Sequence, residues 1–216
     1  MKLLKELCES HGVSGREEEV RELILSHVEK YVDEYHVDPM GNLICKRHSE
    51  KSKEWLVVAC HMDEIGFYVR YIDKKGFLRI QPMGGFDPRN LFARRVIVKT
   101  KTGKLTGTLN PAVPPIHVAS AEDRKKVPIL KDFYVDLGLP VEEVKKLVRL
   151  GDPISLEQNF TEIGNNVSCK AMDNRTACWV GINLLKKLKN PLTISLFYLP
   201  LKKKLVCEAR LLVLIP

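Results

Sequence analysis

The six cysteines, Cys8, Cys45, Cys60, Cys169, Cys178 and Cys207, form no CxxC pair and no zinc-finger spacing. Most of them sit inside apolar runs, so they read as small buried hydrophobes of a reducing cytosol. No partner base singles one out as a nucleophile. Nowhere does the chain approach the roughly 18 uninterrupted apolar residues that a membrane helix needs. The opening "MKLLKELCES" has charges inside its apolar positions and reads as the start of a helix, not as a signal peptide. A basic stripe interleaved with aromatics is missing too, and so is a helix-turn-helix. The net charge of +8 is therefore no nucleic-acid footprint. Lys and Arg are scattered among Glu, as in "GREEEVREL" and "VEEVKKLVRL", which describes a solvated charged surface. With 44% apolar and 29% charged residues over 216 positions, the expectation is a soluble cytoplasmic protein with a substantial core and no membrane or nucleic-acid partner.

What is present divides by composition. Leu3, Leu4 and Leu7, then Val20, Leu23, Ile24 and Val28, recur at helical spacing on either side of "HGVSGREEEV". Two helices with a Gly-rich joint are expected, the second opened by a capping box of Ser14 and Glu17. "YVDEYHVD" and "NLICKR" predict two strands around the turn "DPMGN". "EWLVVACH" is nearly all apolar, the mark of a central strand buried on both faces. From residue 66 to residue 162 short strands alternate with turns, as in "FYVRYIDKKGFLRIQPM" and "RRVIVKTKTGKLTGTL". That is barrel or sandwich character, with one helix in "PVEEVKKLVRLG". Afterwards α/β character returns in the helix "MDNRTACWVGINLLKKLKN" and the strand "LTISLFYL". The expected organisation is an α/β domain of residues 1–65 and 163–216, interrupted by a small β domain of residues 66–162. The tail "KKKLVCEARLLVLIP" shows neither period nor cap.

The chemistry concentrates in "LVVACHMDEIGF", residues 56–67. Residues i and i+2 of a strand point to the same side, so His61 and Asp63 can face one cleft while Met62 packs behind. Histidine is the commonest transition-metal ligand, and a carboxylate can orient its second nitrogen. Ligands collect at strand C-termini in open α/β sheets. Alone, His-x-Asp equally describes a strand-capping histidine beside an acidic turn. Asp173 in "AMDNR" is in the same position: it can be an ordinary helix N-cap or a metal bridge.

The ordered set "LCESHGVSGREEEVRE", "DPMGNLI", "ACHMDEIGF", "GGFDPRNLFARRVIVKT", "PPIH", "EDRKK", "VDLGL", "GDPI", "FTEIGNN" and "KAMDNRTACWVGINLLK" resembles the dimetal aminopeptidases of metallopeptidase family forty-two. That family includes glutamyl and deblocking aminopeptidases and members sometimes labelled endoglucanase or cellulase M. The resemblance implies a zinc-peptidase α/β domain of the phosphorylase/hydrolase-like fold, with an inserted β domain serving homo-oligomerisation. It implies two divalent ions, zinc or cobalt, and peptide substrates held by their free N-terminus. His61 would ligate one metal, Asp63 would orient His61, and Asp173 would bridge both metals.

The family also needs a Glu-Glu pair, general base and ligand, after the strand matching "LTISLFYL", and later an Asp and a His ligand. Here "LKKKLVCEARLL" follows, Glu208 stands alone, and no histidine comes after His117. His117 itself reads as a loop residue. One set of codons for residues 202–210, read one base earlier, gives Gln-Glu-Glu-Val-Gly-Leu-Arg-Gly-Ala. A frameshift near residues 197–202 is therefore expected, with at most partial metal occupancy and little activity in this polypeptide. Two alternatives stand beside the aminopeptidase: a pseudo-enzyme acting as a binding or assembly subunit, and a glycoside hydrolase, which needs two carboxylates across a sugar. The gene's bases test the frameshift. Codons that give the Glu-Glu peptide in no frame would remove it.

Overall fold

The computed structural model describes residues 1–50, 55–115, 117–187 and 193–199. The patternless tail and half of the expected frame junction, residues 200–202, lie outside these residues. In chain order the elements are α1 (Lys2–Glu9), α2 (Glu18–Val28), β1 (Glu34–Val37), β2 (Leu43–Arg47) and β3 (Trp55–His61). Next come β4 (Gly66–Ile72), β5 (Leu78–Met83), β6 (Arg94–Thr100), β7 (Gly103–Pro111), β8 (Phe133–Asp136), α3 (Val141–Leu147) and β9 (Pro153–Leu156). The chain continues through β10 (Thr161–Ile163), β11 (Asn166–Ser168), α4 (Met172–Lys187) and β12 (Thr193–Leu199). Two compact units result, one of Met1–Glu64 and Asn159–Pro216, the other of Ile65–Gln158. Residues 159–162 group with the first unit, where the Phe160 amide donates to Glu9 Oε1 at 2.9 Å.

The first unit is α/β. Its four-stranded sheet runs β1-β2-β12-β3, with β12 parallel to β3 and antiparallel to β2. Side chains alternate along a strand. Ile194, Leu196 and Tyr198 are thus all buried, as are Val58 and Cys60. Val20, Ile24 and Val28 of α2 follow the helical repeat into the same core, joined by Cys178, Ile182 and Leu185 of α4. Gly181 lets α4 lie close on β12: a Cβ there would stand 3.1 Å from the Tyr198 hydroxyl.

The second unit is a closed six-stranded barrel in the order β4-β5-β8-β7-β6-β9. Its first and last strands pair, Phe67 with Ile154 and Tyr68 with Pro153. Closure leaves the barrel no sheet edge. Its core includes Phe67, Leu78, Val96, Leu109 and Phe133, all essentially inaccessible.

Two local expectations are corrected. The Ser14–Glu17 capping box does not form. Gly15, at φ 88°, turns the chain between Ser14 and the helix. Helix α2 then starts at Glu18, and the Glu17 carboxylate accepts from the Gly15 amide at 2.6 Å. Strand β3 is also less central than its apolar run suggests. Among the described residues it pairs with β12 alone, and Val57 and Ala59 on its second face are only half-buried. A continuous apolar run cannot say how thickly each face is covered.

The Tyr198 hydroxyl is buried with no hydrogen-bond partner among the described residues. Burial pushes it far above its ordinary titration range, with Cys60, Cys178 and Cys45 nearby adding to the shift. Deleting an unpaired buried hydroxyl relieves its desolvation cost of about 1–3 kcal/mol. Tyr198→Phe should therefore leave stability unchanged or raise it by about 1 kcal/mol in urea unfolding.

Candidate metal centre

Strand β3 ends in His61, and Met62, Asp63 and Glu64 follow it, Glu64 forming a parallel bridge with Val13. Asp63 Oδ1 lies 2.9 Å from His61 Nδ1, and both residues are buried. On the other side of the ring, His61 Nε2 lies 3.1 Å from Asp173 Oδ1, across 112 positions of sequence. One imidazole thus stands between two carboxylates. Burial pushes His61 down, but Asp63 and then Asp173 outweigh it and hold the ring above its ordinary value. Charged, the ring donates from both nitrogens.

Asp173 comes from the first turn of α4. Its backbone and that of Asn174 are not helical, at φ −90°, ψ 99° and φ −129°, ψ 37°, and the peptide between them is cis. Capping falls to the neighbour, since Asn174 Oδ1 accepts from the Ala177 amide at 3.3 Å. This leaves the Asp173 carboxylate, 82% exposed, for His61. Helix α4 also holds the strand end directly, because Cys178 Sγ donates to the His61 carbonyl at 3.3 Å.

A second polar group lies beneath the first. Lys170 Nζ is 2.7 and 2.8 Å from the two oxygens of Glu64, with under a tenth of either side chain exposed. Glu64 Oε1 also accepts from the Gly12 amide at 3.0 Å, and Lys170 Nζ donates to the Ser10 carbonyl at 3.0 Å. Burial pushes Lys170 down, against the pull of the Glu64 charge. Arg175, with no exposed surface, donates from Nη1 to the Leu7 carbonyl at 2.6 Å. Gly12 lies against it: a Cβ at Gly12 would stand 2.6 Å from Arg175 Nη2.

His61, Asp63 and Asp173, the three residues singled out in the sequence, therefore meet. His117 is exposed in a loop of the barrel unit. Sequence reasoning missed Lys170 and Arg175 and gave Glu64 no role. Their one signal was the presence of charged residues within apolar stretches beside the motif. Among the described residues, no group of three or more His, Cys, Asp or Glu side chains is arranged to hold an ion. A cavity of about 530 Å³ belongs to the barrel unit, lined by Arg89, Phe92, Val113, Arg124, Lys126 and Val127 among others. None of the candidate ligands lines it.

Comparison with known proteins gives one consistent picture. A family model described as M42 glutamyl aminopeptidase matches residues 41–199, a span that holds His61, Asp63 and Asp173. Lysyl aminopeptidase of Pyrococcus furiosus is 32% identical over 190 residues, covering 86% of this chain and 54% of that protein. The TET1 peptidase of Pyrococcus horikoshii, whose structure is described as assembling into a tetrahedron or a large octahedral shell, superposes with a TM-score of 0.83. Its identity is 31%, over 94% of this chain and 62% of that one. A structure named as an endoglucanase from Thermotoga maritima superposes with a TM-score of 0.77 at 33% identity, over 90% of this chain and 58% of that one. The chain spans about half the length of the curated relatives it matches.

The raised His61 value carries a sign. Its contribution to stability is complete below the unfolded value near 6.5 and is lost as pH rises through the folded value. Asp63→Asn should lower the His61 value in chelator-treated protein, read from imidazole NMR shifts. It should also cost about 2 kcal/mol of stability at pH values below that window.

Proposed function

We propose, on the ground that the chain belongs to the M42 glutamyl aminopeptidase family, that it serves metal-dependent removal of N-terminal residues from peptides. The observation that carries this is the ring of His61 set between Asp63 and Asp173 at 2.9 and 3.1 Å. The residues fit an ion. Two donors bonded at about 2.0–2.1 Å to one tetrahedral centre stand roughly 3.3 Å apart. The Nε2 to Oδ1 separation is 3.1 Å. Imidazole nitrogen with carboxylate oxygen is a donor set that zinc and cobalt accept.

In this reading His61 and Asp173 are ligands, and Asp63 keeps the His61 ring oriented by accepting from Nδ1–H. Asp173 is exposed enough to offer its second oxygen to another ion. A divalent ion at such a pair supplies a Lewis acid for the scissile carbonyl. The cluster of negative charge from Asp63 and Asp173 favours a peptide's N-terminal ammonium beside it. A proton on His61 Nε2 competes with the ion, so affinity falls as pH drops through the raised His61 value.

Two protein donors are fewer than the three that catalytic zinc sites use. The 216 residues by themselves should therefore bind zinc weakly and hydrolyse aminoacyl-p-nitroanilides slowly or not at all. We assign self-association to the barrel unit, which exposes Phe92, Val118, Val127 and Ile129 and resembles assembling peptidases in fold. An assembly subunit without catalysis is the second reading, favoured by the same donor count. For the glycoside hydrolase the support is the names of solved structures alone, one an endoglucanase and another a peptidase/endoglucanase. Asp63 and Asp173 both face one imidazole here, which is not a pair of carboxylates flanking a sugar.

Calorimetric titration with zinc tests the proposal. Binding in the micromolar range or weaker is expected, reduced at least tenfold by Asp173→Asn or His61→Ala. Zinc binding that is indifferent to both substitutions would remove the assignment. Brisk p-nitroanilide hydrolysis abolished by Asp173→Asn would overturn the expectation of slow turnover.

A further inference from the structure

Asp173 has almost nothing of its own to hold it. Its side chain is 82% exposed, and among the described residues its hydrogen-bonded side-chain partner is His61. Its place is therefore set by its backbone. That backbone is anchored on both sides. Three residues earlier, Lys170 is clamped to both oxygens of Glu64. Two residues later, Arg175 is tied to the Leu7 carbonyl at 2.6 Å. Between the anchors Ala171 takes φ 57°, and its carbonyl accepts from the Arg175 amide at 3.1 Å.

The Glu64 end of the clamp belongs to the segment that carries His61. Glu64 is also fixed by exchange with Gly12: its amide donates to the Gly12 carbonyl at 2.8 Å, and its Oε1 accepts from the Gly12 amide at 3.0 Å. Lys170 donates a further bond to the Ser10 carbonyl. One ammonium and one carboxylate thus lock together the loop at residues 10–13, the end of β3 and the approach to α4.

Stability is a poor reason for such a pair. Removing two charges from water costs several kcal/mol per ion, and well-packed apolar pairs often serve as well. What an apolar pair lacks is direction. The hydrogen bonds to Glu64 and Lys170 fix the position of each segment to within a few tenths of an ångström, and metal donors need that tolerance.

We propose that Glu64 and Lys170 are positioning residues for the metal pair, setting His61 and Asp173 at ligating distance across 112 positions of sequence. The proposal rests on His61 and Asp173 being ligands, and its test separates the two ideas. The double variant Glu64→Gln/Lys170→Met keeps an acceptor for the Gly12 amide and removes both charges. We expect it to fold with a cooperative melt and to bind zinc at least 10-fold more weakly by calorimetry. In its metal-free crystal structure, the His61–Asp173 contact should be broken. Lys170→Arg keeps a cation on Glu64 and should stay within about threefold of the parent affinity. A double variant that keeps both the contact and the affinity overturns the proposal. So does one that fails to fold, because the pair is then a stability element, and so does Lys170→Arg losing as much as the double variant. A parent chain that binds no zinc removes the metal assignment, while the crystallographic contact still decides the positioning role.

Discussion

A carboxylate with 3% of its side chain exposed has lost its water and needs partners for both oxygens. Glu64 has them: the Lys170 Nζ lies on both its oxygens and the Gly12 amide on one of them. The Lys170 ammonium, in turn, is tolerated in the interior because that carboxylate is there. Each side chain supplies the other's partner, and each belongs to a segment with its own business at the surface. The rest of the first unit is arranged around this mutual dependence. The loop at residues 10–13 folds over the pair, β3 ends beside it, and α4 begins two residues beyond it.

The site itself is built from opposite kinds of support. His61 is held by burial, by Asp63 and through its carbonyl by Cys178, so its ring has little freedom. Asp173 projects into solvent from a backbone that is not helical although it lies within a helix. A buried nitrogen donor and an exposed oxygen donor suit an ion reached from solvent, with the nitrogen fixed and the carboxylate free to use either oxygen. The charges around the ring set the protonation that such an ion has to displace.

How much of this was legible depended on whether the cause was local. Periodicity places α2, α4 and the barrel strands because each buries one face at a regular interval. The turn at Asp38 is readable because the Asp38 carboxylate serves the amides of Met40 and Asn42 within the same short stretch. His61, Asp63 and Asp173 were found as a motif, and the fold brings them into contact. The failures are all non-local or conformational. Ser14 has the right residue type for a cap, but the left-handed Gly15 after it moves the helix start. The partners of Glu64 and Arg175 lie 106 and 168 positions away, and no spacing rule spans that distance. The thin cover of one face of β3 follows from sheet order, which a single apolar run does not encode.

The closed barrel also bears on how the other unit comes together. Its first strand pairs with its last, so the chain leaves the barrel next to where it entered. For an unstructured intervening chain, joining Lys170 to Glu64 would close a loop of 106 residues. A barrel that has already closed shortens that search to a link of roughly fifteen residues, and lowers the entropic cost of closure by about 2 kcal/mol. During synthesis the barrel sequence is complete before Lys170 and α4 emerge. The order of translation therefore favours a path in which the inserted unit folds first and delivers the second half of the site to a strand end already waiting for it.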